Sequence, residues 1–143
     1  ADKRSVRDAL GVGSHMWDEC NIGVHLALTD DWMVNLATRL PLVLAANVQV
    51  MVYVGVLDFI CNVEGQDAWT HHLEWPGQAA FNSAQMVPWT LPDGTVAGEA
   101  KSAQGLTYVK VHGAGHMVPL DQPAAALDML TRFTTGTSFN GGA

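Results

Sequence analysis

An α/β layered domain is predicted by three features of this 143-residue sequence. The segment QVMVYVG (49–55) is β-branched and apolar on both faces, the pattern of a strand covered on each side, as in a parallel sheet. LTYVKVHG (106–113) is another strand, with alternating character, and it leads into the helix-patterned DQPAAALDMLTRFTTG (121–136). A second helix-patterned segment, NVEGQDAWTHHL (62–73), lies between the two strands, so strands and helices alternate apart from one hairpin.

Each element follows from local chemistry. Residues 2–10 place Val6, Ala9 and Leu10 among charges, a short amphipathic helix stopped by Gly11. Residues 11–28 read as irregular. Thr29, Asp30 and Asp31 put polar and negative groups at a helix start, and the helix is predicted from Trp32 to about Ala46 with a kink or break at Pro41. The long apolar stretch 41–57 is interrupted by Asn47 and Gln49, and reads as helix end, loop and strand. GVLDFIC (55–61) and PGQAAFNS (76–83) read as loops on either side of helix 62–73. MVPWTL (86–91) and TVAGEAKSA (95–103) flank Pro92-Asp93-Gly94, a hairpin signal. The last helix has Asp121 as its expected N-cap, Pro123 in its first turn and Gly136 just past its end, with residues 137–143 as a disordered tail.

Composition narrows the function. At 48% hydrophobic residues the chain can build a core. A net charge of −7, with seven Lys plus Arg and no basic cluster, argues against a nucleic-acid partner. No run of about 18 apolar residues occurs, so no membrane-spanning helix is expected. No targeting segment is visible, and the chain opens directly in a helix pattern without an initiator Met, so a piece of a longer protein is expected. Cys20 and Cys61 can pair, stay reduced or pair with another chain. Neither lies in a C-x-x-C motif and no ligand spacing is evident, so neither a metal nor a cofactor is expected.

The chemistry concentrates at two strand ends. Asp58 follows the first strand, and His116, in VHGAGHMVP (111–119), follows the second. Reactive groups gather outside the carboxyl ends of strands in an open α/β sheet, so two parallel neighbours would bring Asp58 and His116 together. A carboxylate on one imidazole nitrogen fixes the tautomer and stabilises the imidazolium, leaving the other nitrogen to take a proton from a nucleophile. The chain order Asp then His is that of α/β-hydrolases, which place a G-x-S-x-G serine upstream. Ser5, Ser14, Ser83, Ser102 and Ser138 all lie outside such a motif. The simpler alternative is that Asp58 caps the following helix and His116 is an ordinary loop residue.

The segments VGVLDFICN (54–62), AWT (68–70), TVAGEAKS (95–102) and LTYVKVHGAGHMVPLDQPAAALDML (106–130) resemble the serine carboxypeptidase family. HMWDECN (15–21) and DDWM (30–33) fit the family's stretch upstream of the catalytic aspartate. D-F-I-C-N followed some fifty to sixty residues later by G-x-G-H-M-V-P makes the resemblance specific, since two spaced motifs coincide. It implies that residues 1–143 are the C-terminal portion of a single α/β-hydrolase catalytic domain that removes C-terminal residues from peptides. Asp58 is then the triad acid and His116 the general base. Trp32, Ile60 and Cys61 match positions lining the pocket for the penultimate side chain, and Met117 a position contacting the C-terminal side chain. Cys20 matches a cysteine that pairs with one in the amino-terminal half, whereas Cys61 matches one that is free.

The family's G-E-S-Y-x-G serine is missing from this sequence. The implied partner is an N-terminal half or chain of the same enzyme, with self-association expected for the isolated chain. The isolated chain is expected to be inactive. The family often carries G-D-x-D before F-I-C-N, and Val56 replaces the first aspartate here. A lysosomal, vacuolar or secreted setting is implied. Acyl transfer to small molecules, and a non-catalytic binding role, are the alternative activities.

Overall fold

The computed structural model describes residues 3–139. They form two units, divided after Asn35. In the first, helix α1 (Arg4–Leu10) ends where Gly11 turns left-handed at φ 67°. A side chain with a Cβ enters that region reluctantly, which is why the glycine stops the helix. A second helix, α2 (Ile22–Ala27), occupies part of the stretch read as irregular. Asn21 initiates it, its side-chain oxygen accepting from the Val24 amide at 3.0 Å. Thr29–Asp31 form a single 3-10 turn rather than the start of a long helix, and the Thr29 hydroxyl donates back to the Leu26 carbonyl. No residue of 3–35 is buried. The unit thus exposes large apolar side chains, Trp17, Ile22 and Met33 among them, and has no core of its own.

The second unit begins with a 3-10 turn (Leu36–Arg39) that continues into α3 (Leu40–Ala45). The helix predicted from Trp32 is therefore confined to this short segment. Pro41 sits in the first turn of α3, where its missing N–H is not needed, so no kink forms. Asn47, at φ 58°, turns the chain toward strand β1 (Val50–Gly55). Helix α4 (Val63–His72) follows, capped by Asn62, whose side chain accepts from the Gly65 amide at 2.8 Å. Residues read as a loop form helix α5 (Gln78–Ser83), held because Phe81 is fully buried.

Strands β2 (Val87–Thr90) and β3 (Val96–Ala103) make the expected hairpin, with Gly94 at φ 87° in its turn. Strand β4 (Leu106–Val111) pairs antiparallel with β3 and parallel with β1, in the register Val50–Leu106 through Gly55–Val111. The sheet order is β1-β4-β3-β2. A one-turn helix, α6 (Val118–Asp121), precedes α7 (Pro123–Thr135), which Gly136 ends at φ 71°. Gln122, not Asp121, occupies the N-cap position of α7.

Alternation along β4 divides the core. Leu106 and Tyr108 point to one face, with Leu44, Val54, Leu73 and Phe81. Val109 and Val111 point to the other, with Trp89, Ala114, Val118, Ala125, Met129 and Phe139. Trp89 is wholly buried. Its Nε1 donates to Asp128 Oδ2 at 2.7 Å, and Phe139 meets its ring edge-on at 5.6 Å between centroids. Arg132 Nε donates to the same carboxylate oxygen at 2.6 Å, while its Nη1 donates to the Ser138 carbonyl. Residues 137–139 of the predicted tail are thus docked on the core, and residues 140–143 lie outside the described residues.

The α4-facing layer holds a lysine with 5% exposure, Lys101. Its Nζ lies 3.0 Å from His71 Nε2 and 4.3 Å from the centre of the Phe81 ring. His71 Nδ1 meets the Asp67 carbonyl at 2.8 Å. A carbonyl can only accept, so Nδ1 carries the proton and Nε2 accepts from the ammonium. Burial pushes the Lys101 ammonium below the ordinary lysine range. Asp67 works against that shift, and Lys110 adds to it. In the window between the lowered folded value and the unfolded value of 10.5, the folded chain binds fewer protons than the unfolded chain. Stability therefore gains from Lys101 as pH rises through this window. Urea unfolding of the native protein and Lys101→Met across alkaline pH is expected to show this rising contribution only in the native protein; identical pH slopes would refute it.

Candidate active site

Two loops meet at the carboxyl ends of β1 and β4. The parallel pairing sets them side by side: the Val56 amide donates to the Val111 carbonyl at 3.0 Å, and the Leu57 amide to the Ala114 carbonyl at 2.9 Å. His116 Nδ1 then lies 2.9 Å from Asp58 Oδ2. The Asp58 side chain is 6% exposed and that of His116 60%.

The two oxygens of Asp58 have separate work. Oδ1 accepts from the Ile60 and Cys61 amides at 2.9 and 3.0 Å, fixing the carboxylate to its own loop. Oδ2 holds the imidazole. Burial acts to raise the Asp58 pKa, but the bond to His116, the Cys61 amide, the imidazole charge and the Ile60 amide together outweigh it. The carboxyl is held below the ordinary aspartate range. Asp58 is not the cap of the following helix, a place taken by Asn62.

The His116 loop is fixed from behind. Gly113 turns it at φ 66°. Its carbonyl accepts from Gln122 Nε2, and the Gly115 amide donates to Asp121 Oδ2 at 2.8 Å. Asp121, expected as a helix cap, thus braces the histidine loop instead. Neither brace carries a sequence signal, because each is a side chain reaching a backbone atom several residues away. Gly55 matters for space: a Cβ there would collide with the carbonyl oxygens of Ala114 and Gly115. Gly55→Ala is expected to push the loops apart and cost about 1–3 kcal/mol, as overpacking does. Thermal unfolding reads the cost, and loss of the low-field NMR proton shared by His116 and Asp58 reads the separation. A preserved resonance with unchanged stability would contradict this.

The other predicted residues divide between the two units. Ile60 (76% exposed) and Met117 flank Asp58 and His116 in sequence, and both are exposed. Cys61 is an exposed free thiol, as the resemblance implies. Trp32 belongs to the first unit, where its ring meets His25 edge-on at 4.3 Å. Cys20, in the same unit, is exposed and free. One donor atom each from Asp58, Cys61 and His116 lie within 4.8 Å of one another. A cleft of about 430 Å³ lies at the opposite end of the sheet, lined by Gln49, Ser102, Thr107 and Arg132 among others. It contains no paired acid and base.

Known proteins resemble this chain in sequence and fold. The family model for serine carboxypeptidases matches residues 1–136. A serine carboxypeptidase-like protein of Pisum sativum is 43% identical over 136 residues, which is 95% of this chain and 47% of the relative. Serine carboxypeptidase 3 of Oryza sativa subsp. japonica is 44% identical over 133 residues, or 93% of this chain and 26% of the relative. The crystal structure of Kex1(delta)p, a prohormone-processing carboxypeptidase from Saccharomyces cerevisiae, matches with a TM-score of 0.79 and 26% identity. It covers 94% of this chain and 30% of that one. The chain therefore spans from 26% to 47% of the length of these proteins.

Proposed function

Since the chain belongs to the serine carboxypeptidase family and carries part of an α/β-hydrolase fold, we propose that Asp58 and His116 are the acid and base of a triad in a complete enzyme that cleaves C-terminal peptide bonds. The observation that carries this reading is the 2.9 Å bond between a nearly enclosed Asp58 carboxylate and a His116 ring open to solvent. With Nδ1 engaged, Nε2 is the nitrogen available to a nucleophile.

The chemistry follows from that arrangement. A serine supplied by the rest of the enzyme gives its proton to His116 Nε2 as its oxygen attacks the scissile carbonyl. Asp58 stabilises the resulting imidazolium. His116 returns the proton to the departing amine, and the acyl-enzyme remains. Water then repeats the sequence, losing a proton to His116 and releasing the peptide acid. Ile60, Cys61 and Met117 supply apolar surface for substrate side chains in this reading, and Trp32, in the first unit, is carried as a substrate-contacting residue by family resemblance alone. Cys20 is proposed to form a disulfide with the serine-bearing portion. The uncovered apolar surface of residues 3–35 supports such a partner, and self-association is its counterpart in the isolated chain. A vacuolar, lysosomal or secreted setting goes with a disulfide-linked enzyme.

A serine-directed phosphonylating reagent tests the assignment on the complete protein. One serine is expected to be labelled stoichiometrically, with labelling lost in His116→Ala. Blocked dipeptides should be hydrolysed in preference to acyl transfer from small esters. Absence of a reactive serine would sink the reading in favour of a binding protein, and preferred acyl transfer would reassign the reaction.

A further inference from the structure

We infer that Asp58, Cys61 and His116 form a binding site for a thiophilic divalent cation of the zinc type, and that filling it disables the imidazole as a base. Nothing in the linear sequence announces such a site, because the histidine lies 58 residues beyond the aspartate. The fold creates it by setting the two loops together.

The donor set argues for the ion. A carboxylate oxygen, a thiol sulfur and an imidazole nitrogen converge within 4.8 Å. Borderline-soft zinc accepts all three types, whereas magnesium and calcium demand oxygen throughout. Bonds of about 2.0–2.3 Å put tetrahedral ligands roughly 3.3–3.7 Å apart. Asp58 Oδ2 and His116 Nδ1, at 2.9 Å, must part by a few tenths of an ångström, and Cys61 Sγ must close in. His116 and Cys61 are exposed and free to make that adjustment. The less mobile ligand, Asp58, is held by the Ile60 and Cys61 amides, the kind of outer support that fixes metal-binding carboxylates. Three protein ligands leave a fourth position for water.

The consequence for the imidazole is specific. Coordination through Nδ1 displaces its proton, which moves to Nε2. The Cys61 thiol loses its proton to solvent, so one proton is released per ion bound. An Nε2 that carries hydrogen has no lone pair with which to deprotonate a serine. The site therefore acts as an inhibitory lock.

Cobalt chloride titrated into the complete, apo protein tests this directly. One equivalent is expected to give a thiolate-to-cobalt charge-transfer band that zinc abolishes by competition. Cys61→Ser should remove the band, and Cys20→Ser should leave it intact. Asp58→Asn and His116→Ala should each weaken zinc binding by at least the roughly 10–100-fold that losing even an outer partner brings. As a check that needs no substituted ligand, zinc should slow alkylation of Cys61 in the native protein at least about tenfold. The proposal is overturned by a band that survives Cys61→Ser or vanishes in Cys20→Ser, by sub-stoichiometric cobalt, or by unprotected Cys61. The inhibitory consequence rests on the base role proposed for His116, but the binding does not. Serine phosphonylation reads the one and cobalt absorption the other, so each can fail alone.

Discussion

Replacing His116 by alanine in the complete, serine-bearing enzyme is expected to lower kcat by about 10⁴- to 10⁶-fold while KM stays within a few-fold. Among the described residues the ring's polar partner is Asp58, and its side chain is 60% exposed, so the ring adds little to the fold. Its removal would therefore take away the proposed proton transfer without deleting structure. Asp58→Asn is the more informative companion. The carbamoyl oxygen can replace Oδ1 at the Ile60 and Cys61 amides, so the loop stays folded. What changes is the group facing Nδ1, which can no longer stabilise an imidazolium. A loss of about 10⁴ in kcat is expected. Residues acting as one unit are not additive, so the double variant should be little worse than His116→Ala alone. Steady-state kinetics on a blocked dipeptide checks all three. A His116→Ala enzyme within tenfold of the native kcat would end the base assignment.

The second large effect is on stability. Trp89→Ala should cost about 3–5 kcal/mol, the range for removing a buried aromatic residue. That is a large share of the roughly 5–15 kcal/mol that folded domains possess. Trp89 is buried from both sides, by the sheet and by Phe139, and its Nε1 satisfies Asp128. Trp89→Phe separates the contributions. It keeps most of the apolar surface, while Arg132 still pairs with Asp128, so about 1–3 kcal/mol should be lost. Denaturant unfolding measures both, and a Trp89→Ala cost below about 1 kcal/mol would show that the packing is not cooperative with this ring.

Much of this arrangement can be read from the sequence, and the exceptions have physical causes. Strands β1 and β4 are legible because β-branched runs end at glycines, and Asp58 and His116 are legible because each follows such an end. Helix α4 is legible through its helix-patterned segment between the two strands, and the Pro92-Asp93-Gly94 hairpin through its turn chemistry, whereas the Asn62 cap is not. Helix α5 is not, since Pro76 and Gly77 announce a loop while Phe81 is held helical by burial among residues distant in sequence. The helix expected from Trp32 fails because Pro41 fits a first turn better than an interior. The docking of Phe139 depends on Arg132 and Trp89, neither of which marks the tail as ordered. The Lys101–His71 contact joins residues 30 apart across two elements and leaves no periodic trace.

The pairing of β1 with β4 also sets a timetable. The β2–β3–β4 meander joins near neighbours in sequence, whereas β1 must wait for a partner more than fifty residues downstream. At a synthesis rate of roughly 5–20 residues per second, the Asp58 loop exists for about 3–12 s before His116 has even been made. Non-local parallel contacts are also the slow ones to close once both strands are present. The bond between these two side chains thus reports the longest-range pairing of the sheet, because it needs β1 and β4 side by side. Reactivity at this site would then wait on the pairing whose two strands are made furthest apart in time.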